Sequence, residues 1–231
     1  MRHSSSLLCA ALLAAASAAH AAPLIDVQFS NDASHAQSGA AVVGTSGDTW
    51  NNFATGHAGN GSLVDATNSA SGVSLSFSAN NFWESDPSYF RFAGQPAANL
   101  MQGYLVGYAG QADIALSFTG LTAGQEYSFW VYTQGDDNSR GRSISLSANG
   151  GAAAIATQTN TGSFVLGDNY VYLTAVADRD GDVEIFGHDL VGEANINGVQ
   201  LTAVPEPSEI VLLMAGALLL AGAAVRRNRA R

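Results

Sequence analysis

An all-β fold, a β-sandwich carried between two apolar ends, is what this chain of 231 residues predicts. Three observations carry that expectation. Residues 72–78, 112–118 and 142–147 alternate apolar side chains with small or polar ones at period two, as half-buried strands do. Turn chemistry lies between such runs: Asp180-Gly181, Asn149-Gly150-Gly151, and the Gly-containing stretches 119–125 and 135–138. Between residues 22 and 203 only residues 95–101 read as a helical turn, with Pro96 near its start. Many short strands with Gly-rich turns, in about 180 residues without a repeat or second-domain signal, make one sandwich with one substantial core.

The elements follow in chain order. Arg2 supplies a short positive segment, residues 7–19 an apolar run, and Ala19-His20-Ala21 small residues at the two positions a signal peptidase reads. Residues 1–21 are therefore expected to be a secretory signal peptide. The run is too short to span a bilayer, and no stop-transfer charges follow it. Cys9, the one cysteine, lies at the start of that run rather than its end, which argues against a lipoprotein and leaves a mature chain without thiols.

Within the ectodomain, residues 22–203, strands are expected at 24–29, 72–78, 112–118, 126–133, 142–147, 169–176, 182–186 and 194–202. The stretches 126–133 and 169–176 are aromatic and β-branched, the composition strands favour. Seventeen acidic residues face four arginines (Arg91, Arg140, Arg142 and Arg179), a net charge of −13 for this segment against −10 for the chain. Such a surface excludes nucleic acid as a partner, since phosphate binding needs a basic face. It stays soluble and can recruit Ca2+.

At the C-terminus, Val204, Pro205, Glu206 and Pro207 precede an apolar stretch over 210–225 and a basic tail bearing Arg226, Arg227, Arg229 and Arg231. Sixteen helical residues reach about 24 Å, short of a ~30 Å hydrocarbon core, and the arginines snorkel to extend the reach on the cytoplasmic side. A transmembrane helix is expected at 210–225.

The order of these parts over residues 204–231 resembles the PEP-CTERM sorting signal of Gram-negative, exopolysaccharide-producing bacteria. That resemblance implies processing by an exosortase near Pro205-Glu206-Pro207, after signal peptidase has acted at the other end. The product would be held briefly in the inner membrane, then released to the cell surface or extracellular matrix. The helix is then a temporary handle, comparable to a GPI-type tail, with a permanent single-pass anchor as the alternative. Residues 100–105 and 116–127, with a Gly-Leu-x-x-Gly-x-x-Tyr block ahead of an aromatic strand, and residues 194–201 are similar to galactose-binding-like modules of bacterial secreted proteins. That resemblance implies a jelly-roll-like sandwich more than it implies sugar binding.

Chemistry is sparse. His35, His57 and His188 are widely separated, and no G-x-S-x-G, H-E-x-x-H or P-loop motif is present. Residues 182–186 suggest a glycanase strand, but Phe186 stands where the middle Asp of such strands belongs. No catalytic residue is assigned. Asp178, Asp180 and Asp182 flank a Gly and can offer oxygens to Ca2+, or they are the solvated acids of a hairpin turn. They do not continue as an EF-hand.

For ligand binding, the apparent loop 80–91 joins Trp83, Tyr89 and Arg91 to amides and acids, a mix that stacks on sugar faces and fixes hydroxyls. Trp50, in the similar segment 47–53, is a second candidate. The same rings also serve to pin long loops to a core.

The expectation is a secreted, non-enzymatic β-sandwich protein of the cell envelope or exopolysaccharide matrix. The alternatives are a carbohydrate-binding module with a specific glycan site around Trp50 and Trp83, and a glycan-active enzyme.

Overall fold

Period-two burial, read along each strand, sorts the side chains of this protein into inward and outward rows. The computed structural model describes residues 22–86, 88–136, 142–159 and 161–205. The expected signal peptide at 1–21 lies outside them, as do Glu206, Pro207, the expected transmembrane helix at 210–225 and the arginine tail. Among the described residues no helix is long and apolar enough to cross a membrane.

Residues Pro23–Ala203 form one unit. Its strands are β1 (Ile25–Phe29), β2 (Asn51–Phe53), β3 (Ala58–Val64), β4 (Ala70–Ser78), β5 (Asn81–Glu84), β6 (Gly103–Tyr108), β7 (Ile114–Thr119), β8 (Glu126–Tyr132), β9 (Ser143–Ala148), β10 (Ala154–Ala156), β11 (Tyr170–Val176), β12 (Val183–Val191), β13 (Glu193–Ile196) and β14 (Gly198–Ala203). One short helix, α1 (Ala98–Gln102), and a 3-10 turn at Ala33–His35 accompany them.

Three sheets result. The first has order β11-β8-β14-β1-β2, the second β10-β9-β12-β7-β4-β3, and the third β13-β6-β5. All pairs are antiparallel except β1 with β2. Neighbours such as β1 and β14, or β6 and β13, lie far apart in sequence, so the chain crosses repeatedly between sheets.

The first two sheets close on each other through their inner rows. Val73, Leu75 and Phe77 of β4 point inward while Ser74, Ser76 and Ser78 point out. Phe29 meets Phe77 at 4.8 Å between ring centroids, and Phe118 meets Phe129 at 5.7 Å, each pair joining strands of opposite sheets. Leu105, Ala194 and Ile196 of the third sheet enter the same core. The all-β sandwich is therefore the fold observed.

A second apolar cluster sits outside the five-stranded sheet, where Tyr132 of β8 packs with Trp50, Phe92, Ala97, Leu100 and Met101. Buried amides fasten it to the sheet. The Gln28 side chain donates to the carbonyls of His35 and Asn99, at 2.9 and 2.7 Å. Asn197 donates to the carbonyls of Met101 and Gly103, both at 3.0 Å. Paired amides of this kind remove the penalty of burying polar groups.

Three expectations need correction. The apparent loop at 80–91 begins as strand β5. The segment 47–53 ends in β2. The strand expected at 194–202 breaks at Asn197, where the chain passes from the third sheet to the first. Gly198 permits that passage, because a Cβ there would lie 2.4 Å from the carbonyl oxygen of Val27.

Candidate ligand-binding face

The third sheet turns one row of side chains into the core and the other outward. Strict alternation puts Tyr104, Val106 and Tyr108 of β6 on the outward row. Register then sets Trp83 of β5 opposite Tyr104, and Glu193 and Asn195 of β13 opposite Tyr108 and Val106. Trp83, Tyr104, Val106, Tyr108, Asp136, Arg142 and Glu193 line an open cleft of about 240 Å3 on this face.

Its members differ sharply in exposure. Trp83 is 55% exposed and Tyr108 is 41% exposed, while Tyr104 is 1% exposed and forms the cleft floor. Tyr108 is held in place by its neighbours: Asn81 donates to its hydroxyl at 2.9 Å, and its backbone N–H donates to Asn80 at 2.7 Å. Arg142 pairs with Glu193 and lies 3.8 Å from Asp136, so one cation stands between two carboxylates. Asn195 donates from its amide to Glu193 Oε1 at 3.2 Å. Its Oδ1 is buried with no hydrogen-bond partner among the described residues. Burial, reinforced by the Asp136 and Glu193 carboxylates and opposed by Arg142, holds the Tyr104 phenol well above its ordinary range, so it stays protonated.

A flat ring and a polar wall lining one cleft can bind a ligand with one apolar and one hydrogen-bonding face. Trp83 and Glu193 are held by strands β5 and β13, while Asp136 and Arg142 follow β8 and precede β9.

Of the residues singled out by sequence, Trp83 alone joins this cleft. Trp50 is corrected to a core residue: it is 6% exposed, its indole N–H donates to the Gly39 carbonyl at 2.8 Å, and its ring packs 6.4 Å from that of Tyr132. No face of its ring remains for a ligand. Tyr89 and Arg91 lie in the turn that follows β5 and do not line the cleft. That turn is built on Asp86, whose side chain accepts from the Ser88 N–H at 2.8 Å and whose carbonyl accepts from Tyr89.

The acidic turn before β12 corrects the hairpin expected at Asp180-Gly181: β11 lies in the first sheet and β12 in the second, so the turn is a corner joining two sheets. Asp178 Oδ1 accepts backbone N–H groups from Asp180 at 2.9 Å and Asp182 at 3.0 Å, which lower its pKa. Arg179 lies 3.4 Å from Asp180. Gly181 at φ +83° is enforced, since a Cβ would meet the Leu121 carbonyl oxygen at 2.3 Å. Among the described residues no three His, Cys, Asp or Glu side chains gather into a metal-binding group. Of the sorting motif, Val204 and Pro205 end the described chain.

Tyr104, Tyr108, Asp136, Arg142 and Glu193 were not anticipated as site residues. The run Gly-Tyr-Leu-Val-Gly-Tyr at 103–108 does carry a period-two signal placing both tyrosines on one face. The pairing of β6 with β13, about 90 residues away, carries no local signal.

No protein-family model and no curated relative matches the chain. Among solved structures, a Bacteroides uniformis β-glucuronidase aligns at 14% identity and TM-score 0.41 over 56% of this chain. The chain spans only 14% of that enzyme. A family 35 carbohydrate-binding module (CBM35) from Cellvibrio japonicus Abf62 aligns at 15% identity and TM-score 0.33, covering 51% of this chain and 79% of the module. A family 35 carbohydrate-binding module from Clostridium thermocellum aligns at 10% identity and TM-score 0.29, covering 44% and 92%. All three scores lie below 0.5, so the fold description rests on this chain's own strand order.

Proposed function

We propose that this protein is a non-enzymatic, extracellular glycan-binding sandwich, with the outward face of β5, β6 and β13 as its binding surface. One observation carries the proposal: Trp83 presents an exposed ring from a paired strand at the edge of a cleft walled by Arg142, Glu193 and Asp136. A large aromatic ring left in water beside fixed polar groups is costly for the fold and useful for a pyranose. The apolar sugar face covers the ring while the hydroxyls reach the polar wall. The terminal segments support delivery of that face to the cell surface or exopolysaccharide matrix, through signal peptidase at residues 1–21 and an exosortase at Val204, Pro205, Glu206 and Pro207.

Affinity electrophoresis tests the reading. The protein runs through gels containing neutral, amino and acidic polysaccharides in turn, beside Trp83→Ala. Retardation by at least one polysaccharide, abolished in the variant, supports the proposal. Equal mobility of both proteins in every gel contradicts it. Release of reducing ends from a retarding polysaccharide replaces it with a glycan-active enzyme.

A further inference from the structure

The polar wall of the cleft is unbalanced in a way that selects among sugars. Among the described residues lining it, Asp136 and Glu193 bring two negative charges, and Arg142 between them brings one positive, a sum of −1. Carboxylates only accept hydrogen bonds, and two of them line the cleft. Among the described residues Arg142 is the one guanidinium lining the cleft, and it faces both acids. A ligand seated on Trp83 therefore meets two carboxylates and, among the described residues, a net negative charge.

A uronic acid would add a third carboxylate and be repelled. An N-acetylated sugar would offer the carboxylates a single amide N–H and no charge. A free ammonium on a sugar ring brings three donors and the complementary charge in the space of one substituent. The chain's overall charge of −10 attracts the same cation at longer range.

We infer that the Trp83 cleft takes a hexosamine with a free ammonium group, as in a deacetylated amino-sugar polymer, the ring lying on Trp83 and the ammonium facing Glu193 and Asp136. The inference rests on the glycan-binding reading above and narrows it to one substrate class.

Calorimetry on the full chain tests it, with a glucosamine tetramer, its N-acetylated counterpart and tetralysine as probes. The glucosamine tetramer is expected to bind at least about 10-fold more tightly than either competitor, and to lose binding in Trp83→Ala. Its advantage over the N-acetylated tetramer should collapse in Glu193→Gln. In the unmodified protein it should also shrink between about 20 mM and about 300 mM NaCl, a readout that does not depend on the variant folding. Equal or tighter binding of the N-acetylated tetramer overturns the ammonium inference and leaves the glycan reading standing. Tighter binding of tetralysine, or glucosamine binding that survives Trp83→Ala, overturns it in favour of general attraction to an acidic surface. If neither tetramer binds and no polysaccharide retards the protein, both readings fail.

Discussion

Trp83 and Tyr104 stand directly opposite each other on β5 and β6, yet one is 55% exposed and the other 1%. The pair separates two roles that aromatic residues play on a sheet. Tyr104→Ala removes a buried ring and should cost about 3–5 kcal/mol, the usual range for such a deletion. Trp83→Ala should change stability by no more than about 0.5 kcal/mol. Denaturant titration of the two variants should show the contrast.

Trp50 belongs with Tyr104. Trp50→Phe keeps a ring in the second cluster but leaves the Gly39 carbonyl without its indole donor. An unmet buried acceptor costs about 1–3 kcal/mol. The denaturation midpoint should fall accordingly, while glycan retardation of the folded fraction stays unchanged.

Asp26 introduces a pH dependence whose sign runs against the usual carboxylate. Burial, with a smaller push from Asp48 and against the Gln200 hydrogen bond, raises its pKa to about 7. Below about pH 4 both folded and unfolded chains hold the proton. Between there and pH 7 only the folded chain holds it, so stability falls as pH rises, by at most about 1.4 kcal/mol per unit. Asp26→Asn mimics the protonated side chain and should flatten this slope in melts from pH 4 to pH 8.

His188 adds a pH dependence of the same sign at an exposed site. Its Nδ1 lies 2.7 Å from Asp113 Oδ1, and that contact raises its pKa. The stabilisation is present below the ordinary histidine pKa and lost as pH rises through the raised one. In Asp113→Asn the imidazole titration followed by NMR should move to lower pH.

The corner between β11 and β12 gives a backbone prediction. Gly181→Ala forces a Cβ against the Leu121 carbonyl at positive φ and should destabilise by more than about 1 kcal/mol. Asp178→Ala frees two capped amides and should cost about 1 kcal/mol. Thermal melts of the two variants check both.

Strands whose inward rows are large and apolar were legible in the sequence. Leu75, Leu116 and Leu146 each sit in a clean period-two run. β3 was not, because Gly59 and Gly61 occupy positions where the rings of Phe77 and Phe53 lie close over the backbone. β5 hid behind its Asn-rich start, which reads as a turn. In the site, Trp83 was legible as an aromatic among polar residues. Trp50 has the same local company and faces inward, because the loop that carries it folds down onto Tyr132. Arg142, Asp136 and Glu193 converge only through pairing between distant strands, which local pattern does not encode.

Acrylamide quenching of tryptophan fluorescence reads ligand contact at Trp83. Trp50 is buried, Trp130 is half-buried, and Trp83 is the most accessible of the three. With a saturating polysaccharide that retards the protein, the most quenchable component should disappear, and Trp83→Phe should lack it from the start. Binding that leaves quenching unchanged would place the ligand elsewhere and contradict the account.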